Sequence, residues 1–182
     1  SARGAYIILI DGDIVLDHRF VADHRDFARL GHFVQGTRAL LSHDLTERVL
    51  ASGELRQPLF ARGVENRKNC LRSLLLARLF SFRSWRLPGV KTCNFAFWKR
   101  DALAINGFNE EFVGWGREDS EFTARLLNAG VRRQNLKFCA LGYHLYHPMN
   151  ERDRLSINDA ILRRTVVEKH RWCARGLDQY LR

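Results

Sequence analysis

An unbroken apolar run, Tyr6-Ile7-Ile8-Leu9-Ile10, ends abruptly at Asp11-Gly12-Asp13, and a second apolar triplet, Ile14-Val15-Leu16, follows. Continuous apolar runs rich in β-branched residues predict a strand buried on both faces, here over residues 5–10. Over 17–30, Phe20, Val21, His24, Phe27 and Leu30 recur at helical spacing and predict a helix. Residues 32–41 read as a short strand containing Gly36. Residues 44–52 read as a short helix capped by Asp44. Residues 53–66, with Pro58 and two glycines, read as irregular.

The pattern then changes. Residues 67–82, RKNCLRSLLLARLFSF, interleave Arg67, Lys68, Arg72 and Arg78 with leucines and predict one basic amphipathic helix. Residues 88–98 read as a turn and a strand, and KRDALAINGF as a short helix ended by Gly107. Over 117–130, Phe122, Leu126 and Leu127 line one helical face and Gly130 stops it. Residues 131–147 read as two extended pieces, and 156–173 as a closing helix. Strands alternating with helices predict an α/β layered domain, one unit over 1–182.

Composition narrows the class. The chain has 182 residues, 46% hydrophobic and 27% charged, which is ordinary for a globular domain. The net charge of +10 is not ordinary, and it points to an anionic partner. Cys70, Cys93, Cys139 and Cys173 form no CxxC pair and read as reduced thiols of a cytoplasmic protein. No apolar run approaches a membrane span.

Three constellations carry candidate chemistry. Asp11 and Asp13 leave the end of a strand, across a glycine, and suit a hard divalent cation; an Asp-Gly turn is the plain alternative. Gly114-Trp115-Gly116 presents an indole in a loop, where it suits stacking on a sugar face. Glu118 and Asp119 then open a helix whose dipole favours their ionised forms, and either can act as a general base. Acids in a first helical turn are also common without any such role. In YHLYHP, His144 and His147 offer nitrogen ligands to the same cation, although on a straight strand they would face opposite sides. Without the other two constellations they read as packed or solvated histidines.

In this order the three resemble family 2 glycosyltransferases with the GT-A fold. The closer resemblance is to the branch sharing a galactosyltransferase-like C-terminal segment with the β-1,4-galactosyltransferases, polypeptide GalNAc-transferases and chondroitin-type polymerases. The motifs that carry it are DGD, CNFAFWKRDALAINGFNEEFVGWGREDSEF and YHLYHP. The resemblance implies that Asp13 holds Mn2+ or Mg2+, with His144 and His147 as further ligands and Asp11 near the ribose of a nucleotide-diphospho-sugar, a UDP-sugar first. It implies Asp119 as the base that deprotonates the acceptor, Glu118 orienting the acceptor, Trp115 with Gly114 and Gly116 against the sugar, and Asn94 near the donor. It further implies inverting transfer to a glycan or lipid-linked acceptor in polysaccharide or lipopolysaccharide assembly. Arg117, where many relatives have glycine, and Ser120, where some have a third acid, depart from the pattern.

On the same resemblance the DGD motif falls early, and the chain begins without methionine. The expectation is the C-terminal part of a GT-A fold whose nucleotide-binding half lies upstream, with the first strand showing an open edge. Within it, residues 1–50 form the DxD-strand region, 88–150 the acceptor, catalytic and metal-binding region, and 151–182 the C-terminal helix. The basic helix at 67–82 offers peripheral contact with the inner membrane face, or packs on the core with its arginines in water. Two rivals stay open: a catalytically inactive sugar-binding relative, and a basic nucleic-acid-binding domain. The basic residues are dispersed and show no RRM, KH or zinc-finger pattern, which argues against nucleic acid.

Overall fold

The computed structural model describes residues 2–54, 60–148 and 153–180; Pro58 lies outside them. Their order is β1 (Tyr6–Ile10), β2 (Ile14–Leu16), α1 (Phe20–Phe27), β3 (His32–Gln35), β4 (Ala39–Leu41), α2 (His43–Ser52), β5 (Val64–Glu65), a 3-10 turn (Arg67–Cys70), α3 (Leu74–Phe80), β6 (Phe82–Ser84), β7 (Asn94–Trp98), α4 (Lys99–Ala104), α5 (Glu118–Asn128), β8 (Arg132–Asn135), β9 (Gly142–His144), α6 (Leu155–Val167) and a closing 3-10 turn (Leu177–Tyr180).

Two mixed sheets result, ordered β1-β7-β3-β8-β6 and β2-β9-β4-β5. In the first, only β3 and β8 run parallel; in the second, only β4 and β9. Side chains alternate across a strand, which explains the two cores. Phe33, Phe95 and Phe97 pack on one face with Ile105, Phe122 and Leu126. Val34 and Ala96 face the other way, onto Phe20, Ala77 and Leu136. Thus α5 covers one face of the larger sheet, and α1 and α3 the other. Under the smaller sheet, Leu41, Val64 and Tyr143 pack on Leu45 and Val49 of α2. The chain is α/β, with mixed sheets flanked by helices.

Several expectations change. Strand β1 is not buried on both faces. It is an edge strand, antiparallel to β7, and so has the open edge that the sequence predicts, with Tyr6–Leu9 half-buried and Ile10 45% exposed. Residues 32–41 are not one strand but two, in different sheets. Gly36 lies at the break, where a side chain would collide with the carboxamide of Asn94. The cap of α2 is Ser42, whose Oγ accepts from Leu45 N–H at 3.4 Å; Asp44 lies in the first turn. The last helix stops at Val167, short of 173, where Lys169 takes a φ of 57°.

The amphipathic helix over 67–82 does not form. A 3-10 turn, the helix α3 and the strand β6 divide it. Two partners break the periodicity. Ser73 caps α3 by accepting from Leu76 N–H at 3.4 Å, and Phe82–Ser84 pairs antiparallel with β8. Arg72 does not face water in a stripe: Nε and Nη2 donate to buried Asp23 at 2.9 and 2.5 Å. The single basic face on which the membrane reading rested is therefore absent, although Leu75, Leu79 and Phe80 remain exposed. Among the described residues no helix is long and apolar enough to cross a membrane. All four cysteines are free thiols.

Candidate active site

The ladder between β2 and β9 builds the first wall of the site. Ile14 pairs with His144, and Leu145 N–H donates to the Asp13 carbonyl at 2.9 Å. That register sets Asp13, one residue before β2, beside the end of β9. The carboxylate Oδ2 lies 3.6 Å from His144 Nε2 and 3.1 Å from His147 Nε2. The chain turns after β9, where His147 Nδ1 meets the Pro148 carbonyl at 2.7 Å, so both imidazoles reach one side. One ligand atom from each of the three residues falls within 4.8 Å of the others.

The chemistry of this cluster fits a cation. Asp13 Oδ1 is buried and has no hydrogen-bond partner, a state that costs free energy unless a ligand satisfies it. Burial pulls the His144 imidazole below its ordinary range, with Arg38 and His147 adding to the pull and Asp13 opposing it. The neutral ring is the form that ligates metal. A carboxylate suits Mg2+ or Mn2+, and two imidazole nitrogens shift the balance towards Mn2+ because Mg2+ prefers all-oxygen surroundings.

The second wall comes from the start of α5. Gly114 and Gly116 take φ values of 74° and 105°, which lets the loop carrying Trp115 turn sharply. Helix α6 holds this loop: Asn158 Nδ2 donates to the Gly116 carbonyl at 2.9 Å, and Arg117 Nε to Asp159 at 2.5 Å. Asp119 Oδ1 accepts from Ser120 N–H at 2.6 Å and from Ser120 Oγ at 3.3 Å. Glu118 Oε2 is buried without a partner. Behind them the helix is anchored by a buried pair, with Arg125 Nε and Nη2 each donating to the Glu121 carboxylate at 2.8 Å.

Both groups line one cavity of about 730 Å³, Asp11, Asp13, His144 and His147 together with Trp115, Gly116, Glu118 and Asp119. Such a volume suits a ligand of substrate size. Asp11 follows β1; burial raises its carboxyl above the usual range, and Asp13 and Asp119 add to the rise.

Two expected residues are placed differently. Gly114 does not line the cavity; it is exposed and abuts Arg154. Asn94 does not line it either. It is 1% exposed, with Nδ2 donating to the Thr37 and Ala140 carbonyls at 2.7 and 2.9 Å. Its Oδ1 meets His24 Nε2 at 2.8 Å. Since Nδ2 is committed to two carbonyls, Oδ1 is the acceptor and His24 Nε2 the donor. Asn94 thus knits β7 to α1 and two loops, and its neighbour Cys93 lines the cavity instead.

Sequence reasoning missed Arg38, Lys91, Thr92 and Cys93, which also line the cavity. The pairing of Ile10 with Asn94 brings the 90–93 loop beside Asp11, a register no local motif reveals.

Residues 76–148 match a family described as the N-terminal domain of galactosyltransferase. No curated protein matches the chain. The matched segment carries Trp115, Glu118, Asp119, His144 and His147, whereas Asp11 and Asp13 precede it. Over that segment, which holds one whole wall of the cavity, the chain is glycosyltransferase-like.

Proposed function

We propose that this domain is an inverting glycosyltransferase of the GT-A type, moving a sugar from a nucleoside-diphosphate donor, a UDP-sugar first, to a glycan or lipid-linked saccharide. One observation carries the reading: a carboxylate–imidazole cluster with an orphaned oxygen lines the same cavity as a helix-borne acidic pair and an indole. Asp13, His144 and His147 would hold Mn2+ or Mg2+. When bound, that cation supplies Lewis-acid stabilisation to a departing diphosphate.

The rest falls to the protein's own groups. Asp119 takes the proton from the acceptor hydroxyl as it attacks the anomeric carbon. Ser120 holds Oδ1 through two hydrogen bonds, which fixes the carboxylate plane. Glu118 orients the acceptor through its unpartnered oxygen. Trp115, 44% exposed, offers an apolar face to a sugar ring. Asp11 lies near the ribose and outside the cation's ligands. The Trp115 loop is pinned to α6, so the site is aligned before substrate arrives, and alignment lowers the barrier to a direct displacement.

The test is a transfer assay with UDP-sugars and saccharide acceptors, run with and without Mn2+. Mn2+-dependent release of UDP coupled to acceptor elongation is expected. Donor binding with no transfer to any acceptor would leave a sugar-nucleotide-binding relative without activity, and binding of neither would sink the reading.

A further inference from the structure

A second cavity, about 390 Å³, adjoins the first and shares Arg38, Lys91 and Cys93 with it. Its lining includes four cationic side chains, Arg38, Lys91, Arg133 and Lys137, and no carboxylate. Among the described residues none of the four is ion-paired. Like charges gathered without counter-charge repel, by roughly 1 kcal/mol per close pair even in water, so the arrangement is costly unless an anion offsets it.

Arg133 is the deepest of the four, 7% exposed. Its terminal nitrogens donate to the carbonyls of Pro88 at 2.9 Å and of Arg86 and Gly89 at 3.3 Å. Its Nε is buried and has no partner. Thr37 Oγ1, from the same lining, is likewise buried and unpartnered. Two orphaned donors in a cationic hollow are what a bound anion would satisfy. Burial lowers the Lys137 ammonium below its ordinary range, and Arg133 and Lys68 push the same way.

We propose that this second cavity is an anion subsite that takes a carboxylate or phosphate group carried by the acceptor saccharide. The reading rests on the glycosyltransferase assignment. On that assignment a cation held by Asp13, His144 and His147 would offset the donor's diphosphate, so a further anionic group comes from the other substrate. The shared wall of Arg38, Lys91 and Cys93 sets that group beside the cavity where Asp119 meets the acceptor hydroxyl. An acidic acceptor sugar then spans both cavities, and its charge fixes which hydroxyl reaches the base.

The experiment measures binding of glucuronate, glucose 6-phosphate and glucose to the whole protein, wild type and Lys137→Glu, with Mn2+ and UDP titrated separately. The two anions should bind at least 10-fold more tightly than glucose, and added salt should weaken them. Lys137→Glu should remove that preference and leave Mn2+ and UDP binding unchanged, with an unaltered thermal melt certifying the fold. If Lys137→Glu misfolds, Lys137→Gln carries the same comparison. Equal binding of glucose and the anions overturns the proposal, as does a preference that survives these substitutions. Loss of UDP affinity on substitution of Lys137 also overturns it, because the cavity would then serve the donor. Anion binding with the expected Lys137 dependence, in a protein that binds neither Mn2+ nor UDP, supports the subsite and rejects the glycosyltransferase assignment.

Discussion

Asp13 Oδ2 lies 3.1 Å from His147 Nε2, although the two residues belong to opposite ends of the chain. A three-residue ladder, Ile14–Leu16 against Gly142–His144, brings them there. The fold itself therefore places the carboxylate and the imidazole side by side, and with His144 their ligand atoms lie within 4.8 Å of one another.

Substitution of Asp13 by Ala should abolish Mn2+ binding measured by calorimetry. The loss should exceed the roughly 10–100-fold carried by groups that only orient metal ligands. His144→Ala and His147→Ala should each weaken binding by a similar order. Undiminished Mn2+ affinity in the Asp13 variant would remove the cluster from metal binding.

Asp119→Asn should lower turnover by about two to four orders of magnitude, the usual range for a lost general base. Mn2+ and UDP affinities should stay near wild type, since Asp119 is outside the Asp13–His144–His147 cluster. The comparison needs steady-state transfer rates beside binding isotherms from the same preparations. A variant that keeps most of its turnover would acquit Asp119, and one that loses donor affinity would move it to the other wall.

Stability should fall in mild acid because of His24. Burial lowers its imidazole from 6.5 to about 4, against the opposing pull of Asn94 and Asp23. The folded state therefore holds the neutral ring, while the unfolded chain takes up a proton below pH 6.5. The stabilisation is complete above that pH and is lost as pH falls towards 4, by about 3 kcal/mol in all. Asp23 and its partner Arg72 are the charged groups nearby and keep their pairing across this window. Urea unfolding at pH 7 and 4.5 should show the wild type losing more stability than His24→Gln, and equal losses would refute the assignment.

Much of this was legible from residue order alone. The apolar run into Asp11-Gly12-Asp13, the Gly114–Ser120 string and the two histidines name most of the cavity's two walls, because each is a local pattern with its own chemistry. The errors have a common cause in partners distant along the chain. The alternation of leucine and arginine over 67–82 satisfies helical spacing, yet Asp23 claims Arg72 and β8 claims Phe82. Asp44 is as good a cap as Ser42 by residue type, and only backbone geometry chooses between them. Asn94 looks like a site residue by position. The collision that forbids a side chain at Gly36 shows it to be a packed brace instead. The basic residues of the second cavity come from three separate segments, around Arg38, Lys91 and Arg133–Lys137, so along the chain they read as scattered charge.

The β2–β9 ladder also has a kinetic meaning. Its few backbone bonds close a loop that spans most of the chain, and the entropy of closing such a loop must be met before the contacts return anything. The ladder is therefore expected to form late in folding, and the candidate cation site with it. A cation bound there clasps the loop shut from the side, and it binds the native chain in preference to the unfolded one. Occupancy of the site would then register as slower unfolding, and the metal would act as a latch on the fold as well as a partner in the chemistry.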